Sequence, residues 1–268
     1  MPDLIALEPW IRVLAFMTLF LVLAVAETRA PRRRLSIPRA WRWQQNLAIV
    51  VLGSLLLRAV IPVAAVGAAT IATKAGWGLF NVLPMRHATA FILSLLWLDL
   101  AIWAQHWLFH HIPLLWRLHR MHHADLDIDV STGLRFHPLE LLLSMLVKIG
   151  VVVLLGAPAL AVLAFEVLLN ATSLFSHSNL ALSNTTDARL RWLIVTPDMH
   201  RVHHSWDPRE TDSNFGFNLS WWDHLFHTYQ AQPLLGHEGM TIGLKEFRNP
   251  RELRLDRMLL QPFVATQR

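Results

Sequence analysis

Two short words carry most of the chemistry in this chain: HRMHH at 119–123 and HRVHH at 200–204. With 15 histidines in 268 residues, an H-x-x-H-H pattern is expected only about 0.05 times by chance. On a helix, positions i, i+3 and i+4 share a face, so His119, His122 and His123 converge, as do His200, His203 and His204. His106 and His110 form a further i, i+4 pair. Neutral imidazole is the commonest metal-ligating side chain and suits iron, zinc, copper and nickel. Eight such groups are too many for one ion. Two metals, sharing about four ligands each, is the natural count. His177, within FSHSN (175–179), is the ninth candidate.

Ligating histidines usually pass their other ring nitrogen to a carboxylate or carbonyl. Asp99 lies seven residues before His106, and Asn170 seven before His177, each two turns along the same stripe. Both are therefore candidates for holding a ligand in place, as are Asn179 at the end of FSHSN and His137 in FHPLE (136–140). Asp99 has an alternative role, pairing with Arg58 inside the membrane. His137 reads equally as a ligand, a supporting hydrogen-bonding group or the polar start of the next helix. His87, His111, His224, His227 and His237 stand alone at these spacings and read as ordinary side chains, His237 in an exposed polar tail.

The elements that must position these groups are apolar. Hydrophobic residues make up 54% of the chain and charged residues 16%, against about 25% charged in soluble domains. Twelve tryptophans beside a single tyrosine fit a bilayer interface. The composition therefore points to an all-α, polytopic membrane bundle carrying a histidine-rich di-metal cap. The absence of cysteine excludes disulfides, Cys-ligated iron–sulfur clusters and thiolate zinc sites. The net charge of +5 comes from basic residues clustered beside apolar segments, which is a topological signal and not an affinity for nucleic acid.

Ile11–Ala26 reads as an uncleaved anchor, extended by Leu4–Trp10, because Glu8 opposes Arg12 where a signal peptide would be basic. Arg29, Arg32, Arg33, Arg34, Arg39 and Arg42 follow in one loop, which the positive-inside rule places in the cytoplasm. Leu47 to about Ala69 is a second span, with Arg58 near its middle and Pro62 beyond. Residues 70–86 read as a loop or interfacial segment, and Ala88 to about Phe109 as a third span. The apolar tract Leu139–Phe175, broken at Gly156-Ala157-Pro158, reads as a helical hairpin that leaves and returns. From Ser183 the chain is polar and reads as an extramembrane cap. Counting crossings from the arginine loop brings every clustered histidine, and the C-terminus, to one cytoplasmic face.

At these residues the chain resembles the fatty acid hydroxylase and sterol desaturase superfamily of integral membrane, non-haem di-iron proteins. The resemblance rests on HWLFH (106–110), HRMHH, FHPLE, FSHSN and HRVHH, with DLAIWAQHWLFH entering the first box, and runs from about Leu95 to Tyr229. It implies a domain order of N-terminal membrane segments (1–94), a catalytic region (95–229) and a cytoplasmic tail (230–268). It also implies a centre of two iron ions, replaceable by zinc on overexpression, that activates dioxygen against an unactivated C–H bond of a lipid. The ligands carried over are His106, His110, His119, His122, His123, His200, His203 and His204, with His177. Where the family pattern reads WD-x-LFGTY, this chain has WDHLFHTY, so His227 replaces a glycine. With no cysteine and no flavin or nicotinamide motif, electrons must come from a separate reductase or ferredoxin-like donor.

Hydroxylation of a sterol, fatty acyl or related chain is the leading expectation, and desaturation on the same scaffold the nearest alternative. A zinc hydrolase would need a carboxylate base in the cluster, and no H-E-x-x-H is present. A metal-binding membrane scaffold without catalysis is the remaining reading.

Overall fold

The computed structural model describes residues 4–83 and 85–265 of the chain, and among these the regular elements are helices, with isolated β-bridges in place of strands. Among the described residues, five segments are long and apolar enough to cross a bilayer: Glu8–Arg29, Arg39–Val82, His87–His111, Pro138–Leu155 and Ala159–His177. The first is α1. The second is interrupted, giving α2 (Arg39–Val60), α3 (Ala65–Ala75) and the single turn α4 (Leu79–Val82). The others are α5 (His87–His111), α7 (Pro138–Leu155) and α8 (Ala159–His177), with α6 (Pro113–His123) between α5 and α7.

The second span thus ends earlier than its apolar run suggests. Pro62 has no N–H to donate back along the helix, and the chain turns over residues 61–64 before α3 begins. Arg58 consequently lies in the last turn of α2 and not at mid-helix. There it is exposed, and a long cationic side chain at a helix C-terminus complements the dipole and reaches for water.

α7 and α8 form the expected hairpin. Gly156 closes α7 in the left-handed region (φ 65°) and Pro158 precedes α8. Gly156 also meets Gly78 backbone to backbone: a Cβ on Gly78 would come within 2.1 Å of the Gly156 nitrogen. This contact packs the hairpin tip against the turn after α3. Each arm rises about 27 Å, close to the hydrocarbon thickness. α5 packs on α6, α7 and α8, α1 on α8, α2 on α7, and α3 on both hairpin arms. Val66, Leu98, Met145, Val162 and Phe165 form the core between them, while Leu14, Leu55 and Leu154 point outward, each more than 60% exposed. Such outward leucines suit a lipid solvent. One charge cluster inside the bundle is paired: Glu166 on α8 bonds Lys148 of α7 (2.7 Å) and Arg12 of α1 (2.9 Å).

Beyond α8 come α9 (Asn184–Leu190), α10 (Pro197–His203), α11 (Pro208–Thr211), α12 (Trp221–Leu225), α13 (Gly236–Gly239) and α14 (Leu255–Leu260). The arginine loop lies against this cap, as crossing arithmetic requires. Its charges are largely consumed within the fold. Arg32 pairs with Asp198 (3.2 Å), Arg39 with Glu27 (3.1 Å), and Arg42 with Asp125 and Asp129 (2.7 and 2.5 Å). The C-terminal segment is no free tail. Met258 of α14 packs on Ile49 and Met121, and Leu255 N–H donates to Gln45.

Candidate metal centre

Pro113 starts α6 and Pro197 starts α10, each at a first-turn position where the missing N–H costs nothing. Thr196 caps α10 by accepting from Met199 N–H. These two short helices carry the histidine words and face one another at the cap ends of α5 and α8. All nine candidate imidazoles are buried, none more than 2% exposed. They fall into two groups, each with ligand atoms within 4.8 Å of one another. One contains His106, His110, His119, His123 and His203; the other contains His122, His177, His200 and His204.

The repeated word now has a physical reading. In HRMHH the i and i+4 imidazoles join the first group and the i+3 imidazole joins the second. In HRVHH the assignment is reversed. Two antiparallel-acting words with the same spacing therefore bridge both groups, with α5 adding two histidines to one and α8 adding His177 to the other.

Six Nδ1 atoms face oxygen acceptors. His106, His122, His177 and His203 donate to the carbonyls of Phe215 (2.7 Å), Arg135 (3.1 Å), Ser173 (2.7 Å) and Ser213 (2.7 Å). His119 donates to Glu140 (2.7 Å) and His110 to Asp212 (3.1 Å). A neutral imidazole has one N–H, so spending it at Nδ1 leaves a lone pair at Nε2. Yet such Nε2 atoms oppose one another in both groups, His106–His119 at 3.0 Å and His122–His177 at 3.1 Å, while His123 Nε2 lies 3.2 Å from that of His110 and His200 Nε2 3.0 Å from that of His177. His203 Nε2 is buried with no hydrogen-bond partner. Lone pairs aimed at lone pairs are repulsive unless a cation sits among them. Protonation is not the remedy, because burial and neighbouring imidazoles push His122, His123, His200 and His204 well below the usual range, and burial first of all pushes His203 to about 3. The donor set, all neutral nitrogen, fits divalent transition metals.

The supporting groups differ from those expected. Asp99 reaches neither a histidine nor Arg58; it accepts from Asn218 (2.8 Å), Leu219 N–H (3.2 Å) and Trp222 (2.8 Å), holding a cap loop against α5. His137 caps α7, accepting from Leu139 N–H (3.2 Å) and donating to the Leu259 carbonyl (3.3 Å). Asn170 is exposed on α8 and faces the cavity described below. Asn179 bonds the Arg33 backbone in both directions (3.1 and 2.8 Å), stapling the arginine loop to the hairpin. The seven-residue spacing puts Asp99 and His106 along one helix, yet the Asp99 carboxylate bonds the cap loop and not an imidazole. Glu140, three residues after His137, and Asp212 are the carboxylates seen to reach the clustered imidazoles.

Among the isolated histidines, His237 is buried, not exposed: it is 4% accessible, 3.5 Å from Asp198, and burial lowers it to about 4. His227 adopts φ 59°, which explains why a glycine suits that position. His111 donates to the Trp107 carbonyl (2.7 Å), and the His224 ring packs at a tilt against Tyr229, centroids 4.0 Å apart.

A cavity adjoins the first group. His106, His119 and Glu140 stand at its wall, Phe109, Leu141, Met145 and Phe217 make it apolar, and Gln105, Ser144 and Lys148 add polar atoms. Phe136 lies parallel to His122 at 4.6 Å, covering the second group. Around the outside, Asp125 keeps its charge: burial would raise it, but Arg42 and Arg135 outweigh burial and hold it low.

Sequence comparison agrees with this geometry. An ornithine lipid hydroxylase of Rhizobium tropici is 30% identical over 142 residues, covering 53% of this chain and 42% of that protein. Alkylglycerol monooxygenases of Xenopus tropicalis and Homo sapiens are 26% and 28% identical, covering 62% and 63% of this chain. The matches take in only 36% and 37% of those two proteins, so the chain spans well under half the length of these relatives. No solved structure gives a significant match. The model of the fatty acid hydroxylase family matches residues 91–228, the stretch that supplies all nine imidazoles and both carboxylates, and the chain belongs to that family.

Proposed function

We propose that this chain is a membrane lipid hydroxylase whose nine imidazoles hold two iron ions, five histidines on one side and four on the other. The observation that carries the reading is the set of Nε2 lone pairs facing one another in two buried groups. Bound there, iron would supply the oxidising power to insert one atom of dioxygen into an unactivated C–H bond, with electrons from a separate reductase or ferredoxin-like donor.

The chain's own residues set where this happens. The cavity admits an acyl or sterol segment against Phe109, Met145 and Phe217, beside His106 and His119. Glu140 and Asp212 keep two imidazoles in the orientation that presents Nε2. The aromatic and aliphatic walls keep bulk water from the reacting carbon. Residues 95–229 carry the chemistry, 1–94 anchor and frame the cavity, and 230–268 cover the cap. By the positive-inside rule the arginine loop favours the cytoplasmic side for the metal centre and for the C-terminal region. The relatives' names, a hydroxylase and monooxygenases, favour hydroxylation over desaturation. Lipid mass spectrometry of cells with and without the protein tests this. A species heavier by one oxygen supports it; a species lighter by two hydrogens would make the chain a desaturase.

A further inference from the structure

We infer that residues 191–195 and 217–226, although part of the polar C-terminal half, sit in the bilayer as a wedge between α5 and α8. The inference rests on the membrane-spanning assignment of those helices and is independent of the reaction catalysed.

Depth is fixed from two sides. Asp99, the central residue of α5, accepts from Asn218, Leu219 and Trp222. It lies seven residues from His106 toward the far side, or about 10 Å deeper along the helix. The Asn218 amide oxygen accepts from Thr172, which lies within the span Ala159–His177. Further along, Trp103 of α5 donates to Asp223 (3.0 Å) and stacks on Phe226 at 4.5 Å. The loop therefore runs beside the middle of α5 and the last third of α8, and not above their ends.

Its backbone is prepared for that depth. Non-helical chain survives in hydrocarbon only where its polar groups are satisfied by protein. Val195 N–H donates to the Asn218 carbonyl (3.0 Å) and Ser220 N–H to that of Leu193 (3.3 Å). The buried Asp223 carboxylate takes the N–H groups of Phe215 and Gly216 (2.8 and 2.9 Å). What remains facing outward is apolar apart from His224, whose ring lies against Trp192 and Tyr229: Trp192, Leu193, Trp221, Leu225 and Phe226 are 46–76% exposed. The Trp221 indole N–H is satisfied by the Trp192 carbonyl (2.9 Å). This patch continues the outward faces of α5 and α8, where Trp97 and Leu168 are about half exposed, and clustered tryptophans suit the headgroup boundary. A bilayer already covers those neighbours, so lipid is the occupant. The wedge also carries Phe217, a cavity wall 5.0 Å from the His106 ring, so lipid contact bears directly on the site's shape.

The cysteine-free sequence makes the test clean. Leu193→Cys, Leu225→Cys and, on the far edge of the cap, Glu238→Cys are each labelled with an environment-sensitive fluorophore in full-length protein. The protein is reconstituted in phosphatidylcholine–phosphatidylglycerol vesicles. Labels at 193 and 225 should emit to the blue, lose intensity to nitroxide on the lipid chains and resist aqueous iodide; the label at 238 should do the reverse. If 193 and 225 behave like 238, the wedge is in water and the inference fails. If they resist both quenchers, a protein surface covers them instead, and it fails equally.

Discussion

Glu140 should be worth one to two orders of magnitude in metal affinity, although it touches no metal. Its Oε1 accepts from His119 Nδ1 at 2.7 Å, both groups are buried, and its other oxygen has no partner. Glu140→Ala strands an imidazole N–H in a dry site, at about 1–3 kcal/mol. At about 1.4 kcal/mol per factor of ten, that is roughly 5- to 150-fold, matching the 10–100-fold typical of a lost ligand-orienting partner. The neutral Glu140→Gln keeps an acceptor and should lose about tenfold. Competition against a chelator on purified protein, for both variants and the parent, reads the ratio directly. His137→Ala belongs in the same series and should keep its metal, since His137 caps α7 and bonds the Leu259 carbonyl without reaching a clustered imidazole. Parental affinity in Glu140→Ala, with loss in His137→Ala, would refute the assignment of roles.

Arg42→Ala should destabilise the fold by about 3–5 kcal/mol, because it leaves Asp125 and Asp129 buried without their cation; thermal unfolding in detergent measures it. His227→Val should cost about 1 kcal/mol or more and His227→Gly little or nothing, since only the former is strained at φ 59°. His237 titrates near 4 in the fold and near 6.5 unfolded, so between these values the unfolded chain binds more protons and stability falls as pH falls. His237→Gln should flatten stability against pH over that window, and an unchanged slope would show that His237 is not buried neutral.

Eight of the imidazoles were legible because helical periodicity writes a shared face directly into the sequence, and their type restricts what they can do; His177 was legible only as the end of the hairpin. Their supports were not. Asp212 belongs to a loop that returns to α5 only through tertiary contacts, so no spacing relates it to His110. Glu140 was in plain view within FHPLE, yet its neighbour His137 drew the functional reading because it is an imidazole. Asp99 and Asn170 show the limit of stripe arguments: two turns of helix fix a face but not which neighbour that face meets. The arginine loop was legible as a concentration of positive charge, while its pairing with Asp198, Glu27 and the acidic stretch at 125–129 depended on residues distant in the chain. His237 looked exposed because polar sequence signals a surface, and only the fold reveals the Arg33 guanidinium bonded to its carbonyl.

The central claim is that the two histidine words, with α5 and α8, divide their lone pairs between two metal sites. Elemental analysis of the detergent-purified protein, prepared without chelator, tests it most directly. Two metal ions per chain, iron in the active protein, is the predicted result; one ion or fewer would contradict the account.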